Sequence, residues 1–218
     1  MADRFSDLRK IPRQPAARLL AAANTKLTAE IAAPAAAPVE AVLAELAERG
    51  ERIDMLRLLA AALPAREAIW WGCLAARDAV TEGAPVPPPL AAAEIWVFKP
   101  GDETRAAAAA TIEAAEPDDD TTLLARAVAM HDGKLGLGEM QAHEAPPGAV
   151  PAFVFGMVTI AIGAMEDRAE PYMDTLADRA LDIARGGDGR LPVPPAPPSP
   201  QEQAFAEAGI DPAQAVEE

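Results

Sequence analysis

The sequence is poor in the residue types on which sheets, disulfides and most metal sites depend. Of its 218 residues, one is cysteine, two are histidine and 4% are aromatic, and β-branched residues are sparse beside alanine. A single cysteine excludes an internal disulfide framework and fits a reducing compartment. Abundant alanine favours helix over sheet. The composition therefore predicts an all-α protein with one helical domain, built as antiparallel hairpins, a bundle or an irregular helical array.

The chain also lacks the marks of a secretory signal or a membrane span. Its first apolar run, residues 19–23, is too short for a signal peptide. The uncharged stretch at residues 145–165 has the length of a membrane helix, but Pro146, Pro147 and Pro151 interrupt it. The shorter apolar part that remains is typical of a buried core helix. We expect a cytoplasmic protein without a membrane span.

Basic residues are scarce outside the N-terminus. Residues 1–26 hold six Lys or Arg and two Asp, a net +4, which leaves −19 for the rest of a chain whose total charge is −15. Such an acidic body disfavours nucleic acid and anionic membrane surfaces as partners.

Proline and alanine divide the chain into three parts. Residues 1–37 form a basic arm containing Ala and Pro, called the N-terminal arm below. Residues 38–190 are predicted to form the helical domain, and residues 191–218 a Pro-rich linker with an acidic end, called the C-terminal tail. Both ends are expected to be mobile.

Apolar spacing and helix-start residues predict the helices of the domain. A strand is an alternative for residues 95–98, although no partner strand is evident. Asp102 is predicted to cap the helix that follows it. The predicted helices cover residues 39–49, 52–63, 64–80, 90–98, 103–116, 121–131, 151–165 and 171–185.

Residues 63–80, LPAREAIWWGCLAARDAV, contain the predicted central helix. Pro64 suits its first position, where the missing N–H costs nothing. The helix is apolar on several sides, so several neighbours should bury it, and Gly72 would let one of them approach closely. Its main apolar face comprises Ile69, Cys73, Ala76 and Val80.

Four residues of the central helix are the candidate site, and they have two interpretations. Trp70 and Trp71 are core residues, with the stems of Arg66 and Arg77 against Trp70 as a cation–π contact. Alternatively, these four residues anchor a groove for a partner protein, because Trp and Arg are favoured at binding hot spots.

Other motifs that suggest chemistry are incomplete. Residues 118–120, three aspartates, lack the alternating ligands, Gly and Glu of a calcium loop and are better interpreted as a helix cap. Residues 133–138 are glycine-rich but lack the Gly-Lys-Ser/Thr of a phosphate loop. Cys73 is predicted to be a small core residue and not a nucleophile.

The two histidines do not form a recognisable metal site. His131 and His143, with Glu139 and Glu144 nearby, match no ligand spacing. The sequence therefore predicts no catalytic residue, no metal and no cofactor.

Two segments carry a family resemblance. Residues 63–77, with the double Trp, and residues 181–186, LDIARG, resemble the signature of an uncharacterised bacterial domain family, and Trp96 and Arg105 also fit. That family is similar to proteins encoded among type VI secretion genes, beside spike and effector-adaptor genes. The resemblance implies a secretion context and assigns no functional residue.

These observations predict a non-enzymatic accessory or adaptor protein that binds a protein partner, such as a secretion spike or effector. One alternative is an immunity-type protein whose acidic surface binds a basic toxin. Another is an enzyme with a pocket between the central helix and the loop at residues 132–150. The sequence leaves the oligomeric state open.

Overall fold

The computed structural model describes residues 2–81 and 83–193. This part of the chain forms nine α-helices and no strand, as the composition predicts, with isolated β-bridges from Pro15 to Pro38 and from Lys134 to Glu144. The α-helices are α1 (Ala16–Ala22), α2 (Val39–Glu48), α3 (Arg52–Ala62), α4 (Ala65–Ala79), α5 (Pro88–Phe98), α6 (Asp102–Ala114), α7 (Thr122–Ala129), α8 (Ala149–Gly163) and α9 (Ala169–Arg185).

The helix ends differ from the predictions in three informative places. The alternative strand at residues 95–98 is the last turn of α5. Asp102 is the first residue of α6 and makes no capping bond, because Gly101 takes the cap position. The helix predicted from Pro151 starts at Ala149, which places the proline in the first turn, where N–H groups have no helical partner to lose.

The central helix, α4, packs against α5, α7, α8 and α9. Its glycine permits the close approach that the sequence predicts. A Cβ at Gly72 would lie 2.7 Å from Cδ2 of Leu124 on α7 and 3.5 Å from Val154 on α8. Both apolar and aromatic faces of α4 are therefore inside the domain.

Trp71 shows how completely α4 is enclosed. The sequence puts it nearly opposite the main apolar face, yet its side chain is wholly buried because α9 covers that side. Its indole N–H donates to the carbonyl of Leu176 in α9, with an N–O distance of 2.9 Å. The bond ties the middle of α4 to the middle of α9.

A buried arginine organises the start of the loop at residues 132–150. Arg105, on α6, donates to the carbonyl of Ala129 at the end of α7 and to both carboxylate oxygens of Asp132, at 2.7 and 2.8 Å. It also reaches the carbonyl of Gly136 at 3.3 Å. The loop beyond contains a short 3-10 helix, Gly138–Ala142.

The N-terminal arm contributes apolar side chains to the core. Phe5, Leu8 and Ile11 are buried, and the N–H of Lys10 donates to the carbonyl of Ala184 on α9 at 2.9 Å. The expectation of a mobile arm is therefore wrong for this segment. Its apolar residues, spaced three apart, are buried despite the basic residues between them, and its backbone is bonded to α9.

Two carboxylates hold the later part of the arm. Asp54 on α3 accepts the N–H groups of Thr28 and Ala29 at 2.6 and 2.7 Å. Glu45 on α2 accepts those of Ala32 and Ala33 at 2.6 and 2.9 Å. Both fix irregular backbone by the same carboxylate-to-amide arrangement.

The C-terminal tail is described only as far as Val193. Leu191 is fixed by Arg179 of α9, whose Nε and Nη2 atoms donate to its carbonyl. The predicted mobility of the rest of the tail concerns residues outside the described part of the chain.

The apolar helix α8 lies within the domain, with Val154, Met157 and Val158 buried. No single helix in the described residues is long and apolar enough to cross a membrane. One bent pair, Ala149–Gly163 with Glu166–Arg185, meets the length and composition of a span only when its two parts are taken together across a bend of 117°.

Trp71→Phe should lower the free energy of unfolding by about 2–3 kcal/mol, because it removes a buried hydrogen bond and leaves a cavity between α4 and α9. Chemical denaturation followed by circular dichroism measures this. The control is Ile53→Ala, whose side chain is 39% exposed and should cost less than about 0.5 kcal/mol. Equal losses in the two variants would contradict the role of Trp71.

Acid should release the arm from Glu45. The N–H groups of Ala32 and Ala33 lower the pKa of this carboxyl, so its contribution is present at neutral pH and is lost as pH falls through the lowered pKa. Glu45→Gln should reproduce the acid state at pH 7. Hydrogen-exchange protection factors at residues 32 and 33 measure the release. Protection that is unchanged in the variant would contradict it.

Candidate functional site

The described surface carries an unusual group of exposed apolar side chains at one end of α5. Phe98 is 64% exposed and Ile95 is 58% exposed. They are three residues apart and therefore share one face of the helix. Leu191, in the segment after α9, is 36% exposed and lines the same depression as Phe98. Apolar exposure of this kind is typical of an interaction site.

Trp70 forms the floor of this depression. Its ring meets the ring of Phe98 edge-on, with centroids 5.1 Å apart and planes at 68°. The guanidinium of Arg190 lies over the indole, 5.4 Å from its centroid. The floor is thus an aromatic pair covered by a cation.

The segment after α9 forms the wall opposite α5. The indole N–H of Trp70 donates to the carbonyl of Asp188 at 2.7 Å. The carboxylate of Asp182 accepts the N–H of Gly189 at 2.9 Å. Gly189 has a φ of +69°, and a Cβ there would lie 2.7 Å from Ile183, so only glycine lets the segment lie this close to α9.

A buried polar network supports the wall from behind. Asp78, at the end of α4, pairs with the guanidinium of Arg179 and accepts the hydroxyl hydrogen of Tyr172 at 2.7 Å. Arg179 in turn donates to the carbonyl of Leu191. Burial raises the pKa of the Tyr172 phenol far above its usual range, and the Asp78 carboxylate raises it further. The phenol therefore remains a donor at every working pH.

Two cavities open on either side of the aromatic floor. One has a volume of about 490 Å³ and the other about 390 Å³. Both are lined by Trp70, Phe98 and Arg190, which separate them. Together they make one furrow, called the docking groove below. Its remaining lining residues are Lys10, Arg66, Glu67, Leu74, Arg77, Asp78, Glu94, Val97, Arg179, Ile183, Gly187, Asp188, Leu191 and Pro192.

The groove is locally cationic on an acidic protein. Five basic and four acidic side chains line it, whereas the whole chain carries −15. Three of the acidic groups are paired with bases within the groove lining. Among the described residues, neither Arg66 nor Arg190 has a carboxylate partner: Arg66 Nε donates to the carbonyl of Val97 at 2.7 Å, and Arg190 lies over Trp70. Arg66 and Arg190 share their cavity with the carboxylate of Asp188, so the groove has one more basic than acidic group with which to bind an anionic ligand.

The four candidate residues of the central helix separate into two groups. Arg66, Trp70 and Arg77 line the docking groove, and Trp71 lies in the core. The predicted cation–π arrangement needs correction, because the guanidinium over Trp70 belongs to Arg190. Arg66 is instead bound to a backbone carbonyl, and Arg77 makes a two-bond ion pair with Glu94, with Nε 2.8 Å from Oε1.

Sequence reasoning missed Phe98, Ile95, Arg190 and Leu191. Residues 90–98 are apolar all round the helix apart from Glu94, so periodicity gives no sign of which face stays exposed. Arg190 is the last residue of the predicted helical domain, and Leu191 is the first residue of the predicted linker.

A third cavity lies where the alternative enzyme interpretation places a pocket. It has a volume of about 390 Å³ and lies between the start of α4, at Ala65 and Ala68, and residues 144–151. Its ionisable lining groups are His131 and Glu144. Alanine and proline make up most of its remaining wall.

Both of these groups are engaged within the fold. The His131 ring lies against Trp96, with ring centroids 4.6 Å apart and planes tilted by 55°, and its Nδ1 is 3.0 Å from the carbonyl of Val128. Glu144 pairs with Lys134. In the described part of the chain, no three His, Cys, Asp or Glu residues gather in an arrangement that could hold a metal ion.

Cys73 is on the buried face of α4 and fully enclosed. Burial raises the pKa of its thiol well above the usual range, and the charge of Glu94 raises it further. The thiol is therefore protonated and inert at neutral pH, as its interpretation as a core residue predicts.

A match to a family model shows to which protein family the chain belongs. The model of a family of unknown function, DUF6931, matches residues 42–184. The chain belongs to this family. Comparison with curated proteins and with solved structures finds no match.

The DUF6931 match runs from within α2 almost to the end of α9 and contains Trp70, Trp71 and Phe98. The N-terminal arm and the wall segment at residues 187–192 lie outside it. These flanking segments nevertheless complete the core and the groove.

Arg179→Met should lower the free energy of unfolding by about 3 kcal/mol, because it leaves Asp78 as an unneutralised, largely buried charge. Tyr172→Phe, which removes one hydrogen bond, should cost about 1 kcal/mol. Urea unfolding of both variants measures these losses. Adding Asp78→Leu to Arg179→Met should recover part of the loss, and a further loss in the double variant would contradict the network.

Proposed function

We propose that the protein is a non-enzymatic adaptor whose docking groove receives a segment of a partner protein. The observation that carries the proposal is the exposure of Phe98 next to Trp70, whose ring Arg190 covers. Aromatic and arginine side chains around a cleft are the residues that contribute most to protein binding.

The charge of the groove indicates the charge of the partner segment that it would bind. Arg66 and Arg190 form charge-assisted hydrogen bonds best with carboxylates. The two cavities, on either side of Phe98, have the size of sites for large apolar side chains. We therefore propose an acidic segment with two large apolar anchors as the ligand.

The type VI secretion context enters through the family resemblance of the double-Trp segment. Under this proposal, the partner is a secretion spike or an effector, bound in the cytoplasm before export. An adaptor needs a groove that complements its partner's charge and apolar side chains and that has a fixed shape. Trp70 and Arg179 fix the shape of this groove through their hydrogen bonds to the wall segment.

An immunity-type role is the alternative, and the net charge of −15 favours it. A basic toxin would bind the acidic surface and avoid the cationic groove. The two proposals therefore differ in the sign of the partner's charge and in their dependence on Phe98.

The proposal is tested with a fluorescent acidic peptide that carries two aromatic anchors. Anisotropy should show binding that weakens at least tenfold in Phe98→Ala, because the aromatic contact is lost, and at least tenfold in Arg190→Glu, because the charge is reversed. Ile53→Ala, which removes an exposed apolar side chain from α3, is the matched control and should bind like the parent.

The same peptide with lysine in place of each acidic residue separates the alternatives. The adaptor proposal predicts no binding of this basic peptide at 150 mM salt. Salt-sensitive binding of the basic peptide that Phe98→Ala leaves unchanged would contradict the adaptor and favour the immunity role.

A further inference from the structure

We infer that the docking groove is also the binding site of the chain's own C-terminal segment, residues 201–218, which competes with the partner. This inference rests on the proposed function in taking the groove as a docking surface. Residues 201–218 lie outside the described structure, and three features of the chain point to them as the occupant.

The first feature is proximity. The described chain ends at Val193, and Leu191 and Pro192 already line the larger cavity of the groove. Residues 194–200 separate this point from residue 201. Fully extended, the connection spans at most about 29 Å, so residue 201 stays within that distance of Val193.

The second feature is charge. Residues 201–218 contain five acidic residues and no lysine or arginine. The groove offers two guanidinium groups, those of Arg66 and Arg190, without carboxylate partners among the described residues. The signs are complementary, and tethering places the acidic segment beside the cationic part of an otherwise acidic protein. The acidic residues are Glu202, Glu207, Asp211, Glu217 and Glu218.

The third feature is the apolar content of the segment. Phe205 and Ile210 are its two largest apolar side chains. Glu207 lies between them in the sequence, and Asp211 directly follows Ile210. The segment therefore has the features of the ligand in the proposed function. It offers two apolar anchors for the two cavities, and carboxylates between and after these anchors for the arginines of the groove.

Tethering makes such a contact effective even if the segment binds weakly. A short linker holds the segment at an effective concentration of about 1 mM. With an intrinsic dissociation constant of about 100 µM, it would occupy the groove about nine-tenths of the time and weaken a competing partner about tenfold.

Paramagnetic relaxation in the full-length chain tests the inference. Ala208→Cys introduces a thiol between Phe205 and Ile210 for a nitroxide, and the native Cys73 is too buried to be labelled. The backbone amide signals of Lys99 and Arg190 should broaden. The reference is the amide of Thr159 on α8, a helix that meets α4 at Gly72, and it should not broaden.

The matched variants are Phe205→Ala with Ile210→Ala in the segment and Phe98→Ala in the groove. Each should reduce the broadening at Lys99 and Arg190 to the level that a freely moving tether produces, and Ile53→Ala should leave it at the parent level. No broadening in the parent chain, or equal broadening in the parent and in both variants, would overturn the inference. A second sample mixes an isotope-labelled chain without the nitroxide and a nitroxide-labelled chain without the isotope. Equal broadening in that mixture would also overturn the inference, because the contact would then join two molecules.

The acidic probe peptide separates this inference from the proposed function. Removing the two anchors of the segment should tighten peptide binding about tenfold. If the peptide binds through Phe98 but the segment variants change nothing, the internal contact is overturned and the adaptor proposal stands. The opposite result is also possible, in which the nitroxide on the segment broadens the groove signals but no acidic peptide binds, even when Phe205 and Ile210 are replaced by alanine. The adaptor proposal then fails and the internal contact stands.

Discussion

The fold depends on two neighbouring tryptophans that donate hydrogen bonds in different directions. Adjacent helical residues project about 100° apart, so Trp70 and Trp71 reach different parts of one neighbour. Trp71 bonds to the carbonyl of Leu176 within α9, and Trp70 bonds to the carbonyl of Asp188 beyond its end. One pair of side chains therefore fixes both the helix that closes the core and the segment that forms the groove wall.

This arrangement explains how a small helical domain presents a defined groove. The wall segment contains no helix after Arg185 and is fixed by three side chains, Trp70, Asp182 and Arg179. Asp182 and Arg179 both belong to α9, so the position of the wall follows the position of that helix. Phe98 stays exposed because α5 buries its other face through Trp96 and Val97, which leaves the aromatic floor accessible from the side of the wall.

The sequence predicts the helices well because prolines and glycines mark most of their ends. It fails for the N-terminal arm, whose Phe5, Leu8 and Ile11 are hidden among basic and proline residues and whose backbone is held by distant carboxylates. For the site, it identifies Trp70 but misses Phe98, because an almost wholly apolar helix gives no sign of its exposed face. Both failures concern tertiary contacts between segments that are far apart in the sequence.

The most direct measurement of the central claim is hydrogen exchange of the wall amides in Trp70→Phe. The amides of Gly187, Gly189 and Leu191 are hydrogen-bonded in the fold. If Trp70 anchors the wall, these amides should lose at least tenfold in protection while the amides of α4 and α8 retain theirs. Unchanged protection at the wall, or an equal loss throughout the domain, would contradict the claim that this tryptophan holds the groove in place.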